Sequence, residues 1–223
     1  MGLERKWWTL IAVCVAIFML LLDITIVNVA LPDIAKSLHA GFTDLQWVID
    51  AYALTLATFV LNAGSLADLL GRKRVFVTGI ALFTAASALC GAATTPLFLI
   101  LARALQGVGG AIMFATSLAL LSQEFRGRER GTAFGIWGAT TGAAVAVGPL
   151  VGGVLVTGIG WRWIFFVNIP IGVGALVLSI TRLRESRDEE HGRADWVGLV
   201  SLSGALFLFV FALVRGNDKG WSS

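Results

Sequence analysis

Residues 8–30 read WTLIAVCVAIFMLLLDITIVNVA, a run in which Asp23 is the one charged side chain. An α-helix rises 1.5 Å per residue, so ~20 apolar residues cross a hydrocarbon core about 30 Å thick. This run is long enough to span a bilayer. In lipid each backbone N–H and C=O must find its partner within the protein, which a helix achieves alone. Runs of the same kind return at 45–69, 75–94, 96–121, 132–156, 163–181 and 196–214. None alternates with period two, which excludes a transmembrane barrel. The expected fold is all-α, a polytopic transmembrane helical bundle. Residues 1–181 would form a six-helix domain and 182–195 (RLRESRDEEHGRAD) a solvated cytoplasmic linker. Residues 196–223 would add one extra helix and an outer tail. Arg5 and Lys6 ahead of the first run resemble the start of a signal peptide, but the run continues through Ala30, too long for a signal core.

Composition agrees. Of 223 residues, 57% are hydrophobic and 14% charged, and the mean hydropathy is +0.84. Soluble domains carry about 25% charged residues, and disordered chains combine low hydrophobicity with high charge, so both classes are excluded. A net charge of +3 could suggest nucleic acid as a partner. The cations instead lie in short clusters between apolar runs, the pattern that orients a membrane protein. Twelve of the seventeen fall on one side: Arg5, Lys6, Arg72, Lys73, Arg74, Arg126, Arg128, Arg130, Arg182, Arg184, Arg187 and Arg193. The other side receives Lys36, Arg162, Arg215 and Lys219. By the positive-inside rule the amino terminus is cytoplasmic and the chain ends outside. Tryptophans mark the same two interfaces, with Trp7, Trp8, Trp137 and Trp196 inside and Trp47, Trp161, Trp163 and Trp221 outside. Cys14 and Cys90 both lie in apolar runs without CxxC spacing, so neither a disulfide framework nor a metal site is expected.

Arg103 is the seventeenth cation, and it lies inside a span. An ionised group at a helix centre costs at least about 2.5–3.5 kcal/mol, so such residues face a bundle interior or a wet path. Asp23 is seven residues from the outer end of its span and Arg103 seven from the outer end of its own. At 1.5 Å per residue both lie roughly 10 Å deep, where they can pair. Two readings of such a pair stand side by side. One is a static ion pair locking two helices. The other is a carboxylate whose proton state decides whether the pair holds, the means by which a proton gradient drives a conformational change. Asp50 lies nearer the outer end of its span and is either a solvated interfacial carboxylate or part of the proton path.

Glycines crowd the fifth span: Gly135, Gly138, Gly142, Gly148, Gly152 and Gly153, with Pro149 beside Gly148. Small residues four apart let helix backbones approach, and a proline removes a backbone hydrogen bond. The run Leu22-Asp23-Ile24-Thr25-Ile26-Val27-Asn28-Val29-Ala30-Leu31-Pro32 carries the acidic residue of the first span. Between the second and third spans stands Gly64-Ser65-Leu66-Ala67-Asp68-Leu69-Leu70-Gly71-Arg72-Lys73. The fourth span carries Leu99, Arg103, Gln106, Gly107 and Gly109, and Trp161-Arg162-Trp163-Ile164-Phe165 with Asn168-Ile169-Pro170 opens the sixth.

Together, in this order, these stretches resemble the major facilitator superfamily, in its fourteen-helix branch of drug:proton antiporters. Leu69 stands where the loop signature usually has Arg, and Ala144 where the fifth-span motif often has Gly. The resemblance implies that Asp23 and Arg103 belong to the proton-coupling region of a central cavity, and that Gln106 and Gly107 extend the proton-transfer motif. It implies that Gly64, Asp68, Gly71, Arg72 and Lys73 form a cytoplasmic gate. Gly64 and Gly71 would allow tight packing and a sharp turn, while Asp68 would accept from a cation or a helix amino terminus. Gly135, Gly148, Pro149, Gly152 and Gly153 would shape the interface on which two halves rock. The implied function is export of drug-like or amphipathic small molecules across the cell membrane. It would be driven by protons, without cofactor or metal, and with no nucleic acid partner. Seven spans fill half of such a transporter, so the chain is expected to lack its carboxy-terminal half.

Other functions fit less well. A seven-helix receptor or retinal protein needs the opposite orientation, and the seventh span has no lysine. An intramembrane protease needs a nucleophile beside a base, but His39 and His191 lie in loops on opposite sides. Gly107-Val108-Gly109-Gly110 lies mid-span without a preceding strand, so it is no phosphate loop. Export of an endogenous metabolite, such as an amino acid or sugar, fits the same residues.

Overall fold

The structure is a computed structural model that describes residues 4–186, 198, 201, 203–209 and 211–212. Arg187, His191, Arg193, Trp196, Arg215, Lys219 and Trp221 lie outside the described residues, as do most of the expected linker and both ends of the seventh span. Among the residues described through Ser186, seven helices run in order: α1 Arg5–Leu38, α2 Phe42–Leu70, α3 Arg72–Gly91, α4 Pro96–Glu124, α5 Gly127–Gly158, α6 Trp163–Phe166 and α7 Asn168–Arg182. Among the described residues there is no β-strand. Six helical stretches among the described residues are long and apolar enough to cross a membrane, with α6 and α7 counted as one. The chain is an all-α, multi-pass membrane bundle.

The helix ends follow local chemistry. Asp44 accepts the Gly41 N–H at 3.0 Å and caps α2. Thr95 Oγ1 accepts the Phe98 N–H at 3.3 Å, and Pro96 opens α4, where its missing N–H costs nothing. Gly71 joins α2 to α3 at φ +107°, a backbone that favours glycine, so the expected sharp turn is there. α1 continues eight residues beyond the expected end, through Pro32 to Leu38, and closes on His39 in the left-handed region. Hydropathy marks where the oil ends, not where hydrogen bonding ends.

α1 lies deepest and touches α2, α4, α5, α6 and α7. The most extensive helix pairings are α2 with α4, α3 with α4 and α1 with α5. Exchanging the first three spans with the next three turns the α1–α5 pairing into α4–α2, as a structural repeat would. The apolar interior forms two clusters. One gathers Leu10 to Leu20, Tyr52, Phe76 to Phe83, Met113 and Ala175. The other gathers Ile26 to Leu38, Val48, Cys90, Leu99, Ala102, Ile164 and Phe165. On α1, α3 and α4, and at the start of α7, a polar side chain stands where one cluster gives way to the other. Among the described residues of the seventh span, Ser203 meets Asn62 and the Phe211 ring lies 5.9 Å from Trp47, so this segment rests on α2.

Candidate functional site

The seam between the clusters holds Asp23, Ser87, Arg103, Gln106 and Asn168, each no more than 2% exposed. Asp23 comes from α1, Ser87 from α3, Arg103 and Gln106 from α4, and Asn168 from the first position of α7. The Arg103 Nη1 donates to Asp23 Oδ2 at 2.6 Å and to Gln106 Oε1 at 2.7 Å. Gln106 Nε2 donates to Asp23 Oδ1 at 2.9 Å and to Ser87 Oγ at 2.7 Å. Asn168 Nδ2 donates to the same Asp23 oxygen at 2.9 Å and to Ser87 Oγ at 3.3 Å. The Cys90 thiol lies 3.5 Å from Gln106 Oε1. Arg103 Nε reaches the Val48 carbonyl at 3.3 Å, and the guanidinium lies 4.1 Å from the Tyr52 ring centroid.

Each contact offsets part of the cost of burying two charges. Desolvation costs several kcal/mol per ion, and mutual attraction repays it only where further hydrogen bonds satisfy what remains. Here the carboxylate accepts from three side chains, and the guanidinium is shared among a carboxylate, an amide, a backbone carbonyl and an aromatic face. Gln106 has one possible orientation in this setting, because its carbonyl must face the permanent cation and its NH2 the anion. Beside the pair a cavity of about 210 Å³ is lined by Ile24, Val27, Asn28, Ile49, Tyr52, Ala53, Leu56 and Arg103. Its walls are apolar except at Asn28, Tyr52 and the cation, a surface suited to an amphipathic ligand.

The other expected residues divide. Asp50 stays half-buried on α2 and is not among the residues hydrogen-bonded to Asp23. Gly107 is crossed at close range by the Tyr52 carbonyl and Thr55 of α2. Gly148 and Gly152 receive Thr25, Ile26 and Val29 of α1, whereas a Cβ at Gly135 or Gly153 would meet nothing within 4 Å. Pro149 is exposed and α5 runs through it. Gly64 likewise has open space around it, so the tight packing expected there is absent among the described residues.

At the α2–α3 turn, Arg72 Nε and Nη2 donate to Asp68 Oδ1 at 2.9 and 2.8 Å, and Nη1 donates to Gln123 Oε1 at 3.2 Å. Lys73 Nζ reaches the Ile180 carbonyl near the end of α7 at 2.8 Å. Glu185, expected to be solvated linker, instead caps α3. Its two oxygens accept the Lys73 and Arg74 N–H groups at 3.1 and 3.2 Å. A carboxylate is favoured at a helix amino terminus, and this one lies within reach because α7 ends beside α3.

Asn168 stands in the stretch that opens the sixth span but carried no expected role, and Ser87, Tyr52 and Glu185 are site residues that sequence reasoning missed. Only their neighbours in space single them out.

Comparison with known proteins identifies the architecture. The description of the Major Facilitator Superfamily matches residues 13–217. The "Tetracenomycin C resistance and export protein" of Streptomyces glaucescens is 40% identical over 218 residues, covering 97% of this chain and 40% of that protein. The "Multidrug resistance protein Stp" of Mycobacterium tuberculosis is 43% identical over 216 residues, covering 96% of this chain and 40% of that protein. The "Methylenomycin A resistance protein" of Bacillus subtilis is 39% identical, covering 96% of this chain and 46% of that protein. This chain thus spans less than half the length of these curated relatives. A crystal structure of a peptide transporter, POT, has the same fold at TM-score 0.72 and 15% identity, with 98% of this chain and 47% of that one aligned. The chain belongs to the Major Facilitator Superfamily.

Proposed function

We propose that this chain is the amino-terminal half of a proton-coupled antiporter that expels amphipathic or cationic drug-like compounds across the cell membrane, with its amino terminus in the cytoplasm. The observation that carries the reading is the buried Asp23–Arg103 pair, 2.6 Å apart, at the wall of an apolar cavity. Its neutral balance depends on the carboxylate. When Asp23 takes a proton, the site changes from zero to one net positive charge beside the cavity. A cationic compound held there is then repelled, and proton entry drives its release. Kinship with relatives named for antibiotic resistance and export supports a drug-like cargo. No cofactor enters this scheme, because the proton gradient supplies the work.

The remaining assignments follow the same reading. Asp68, Gly71, Arg72 and Lys73 would act as the cytoplasmic gate, and residues 182–195 as the cytoplasmic linker. The seventh span would be the first of two helices joining the halves. Asp50 would act nearer the outer water, if it serves the proton path.

In cells carrying the complete gene, Asp23→Asn is expected to abolish proton-dependent dye efflux and drug resistance while membrane insertion stays intact. Unchanged efflux removes Asp23 from the mechanism. The 223-residue chain reconstituted alone is expected not to transport, and proton-driven uptake at the complete protein's rate would overturn the half-transporter reading.

A further inference from the structure

The Asn168 carbonyl, Oδ1, is buried and has no hydrogen-bond partner, although the NH2 of the same amide makes two bonds. Its neighbours explain what the free acceptor can do. Asp23 Oδ2 faces the Arg103 cation, whose charge disfavours a proton on that oxygen, so an incoming proton belongs on Oδ1, which accepts only from neutral amides. There it points among two amide nitrogens, those of Gln106 and Asn168, neither of which accepts. Gln106 cannot turn to offer its carbonyl, because that carbonyl holds Arg103. Asn168 has no such anchor.

We propose that Asn168 is the positioning residue that reads the proton state of Asp23: its amide donates through Nδ2 to the carboxylate, and turns about Cβ–Cγ to accept the carboxylic O–H through Oδ1. The inference rests on the reading that Asp23 titrates. The step forms one O–H bond on Asp23 with a proton from water and breaks no other covalent bond. After the turn, Oδ1 faces Ser87 as well, whose hydroxyl then donates to it instead of accepting. Either orientation leaves one polar end of the amide against the apolar wall, so this cost is common to both and the proton decides. The titratable groups around the amide are Asp23 from α1, Tyr52 from α2, Cys90 from α3 and Arg103 from α4. α5 carries its charges only at Arg128, Glu129 and Arg130, and α7 only at Arg182, all toward helix ends. Asp23 is thus the group whose charge changes next to Asn168.

Infrared difference spectra of the 223-residue chain in lipid nanodiscs, labelled with ¹³C at the asparagine side-chain carbonyl, test this on acidification. A carboxylic acid band should grow that is missing in Asp23→Asn. In step with it, the Asn168 carbonyl band, identified by its loss in Asn168→Leu, should move to lower frequency as it becomes an acceptor. If Asn168→Leu does not fold, replacing Asn28, Asn62 and Asn217 by Gln assigns the band by elimination. An Asn168 band that stays fixed while the Asp23 acid band grows, or that moves equally in Asp23→Asn, overturns the inference alone. An Asp23 acid band that never appears overturns the proton-coupled reading, and the inference falls with it.

Discussion

A guanidinium and a carboxylate taken out of water are held by whatever else they touch, so the value of each residue at the seam shows when one is removed. Replacing Arg103 by Met leaves Asp23 buried without its cation, and breaking such a pair costs about 3–5 kcal/mol. The same loss should largely disappear when Asp23→Asn is added, because no charge then remains to be stranded. Unfolding in mixed micelles, followed by tryptophan fluorescence, measures both, and strict additivity would mean that the two side chains do not depend on each other. Gln106→Leu removes the bridge between them and is expected to cost about 1–3 kcal/mol, the penalty for buried groups left unsatisfied. Asp23 and Arg103 stand out in the sequence because a charge within an apolar run is expensive and hence conspicuous. Ser87 and Asn168 do not, since a neutral polar residue in a span is cheap. Asn28 illustrates the ambiguity: it is exposed and donates to the Ile24 carbonyl at 3.4 Å, whereas Asn168 is wholly buried on Asp23. Sequence spacing alone does not separate these two asparagines.

At the scale of helices, existence was legible and extent was not. Each of the first six expected spans is a helix, but α1 outruns its apolar stretch by a turn or more at the outer end, and the sixth span is interrupted at Val167. The glycines of α5 look alike in sequence but not in place. A Cβ at Gly148 would stand 2.7 Å from Thr25 Cβ, while one at Gly135 meets open space. Gly148→Ala should therefore cost about 1–3 kcal/mol through overpacking. Gly135→Ala should be neutral or gain up to about 1 kcal/mol from helix propensity. Thermal unfolding of the two variants distinguishes them, and equal effects would contradict the α1–α5 contact. Glu185 gives a further case, because its charge suggested solvent whereas its position caps α3. Glu185→Ala should cost about 1 kcal/mol, as loss of a cap does. It should also speed hydrogen exchange at the Lys73 and Arg74 amides, with distant helices unaffected.

In the whole molecule, burial is uneven. The most apolar window of α1 is 61% buried within the chain, against 22% for α2 and 17% for α5. The uncovered faces of α2 and α5 are therefore open to lipid, to a cavity or to further protein. Which way the bundle stands in the membrane follows from a different quantity, the distribution of cations. Loops read as cytoplasmic hold twelve Lys and Arg and the opposite loops four, and each resists transfer across the bilayer during insertion. Two exposed positions test the result: Thr43, at the start of α2, and Arg128, at the start of α5. Cys90 is wholly buried, so a Cys14→Ala background leaves an aqueous reagent only the introduced thiol to find. A membrane-impermeant maleimide applied to intact cells should label Thr43→Cys and spare Arg128→Cys until the cells are opened. The reverse pattern would invert the molecule, put the Asp68–Arg72 turn outside, and detach the proposed gate from the cytoplasm.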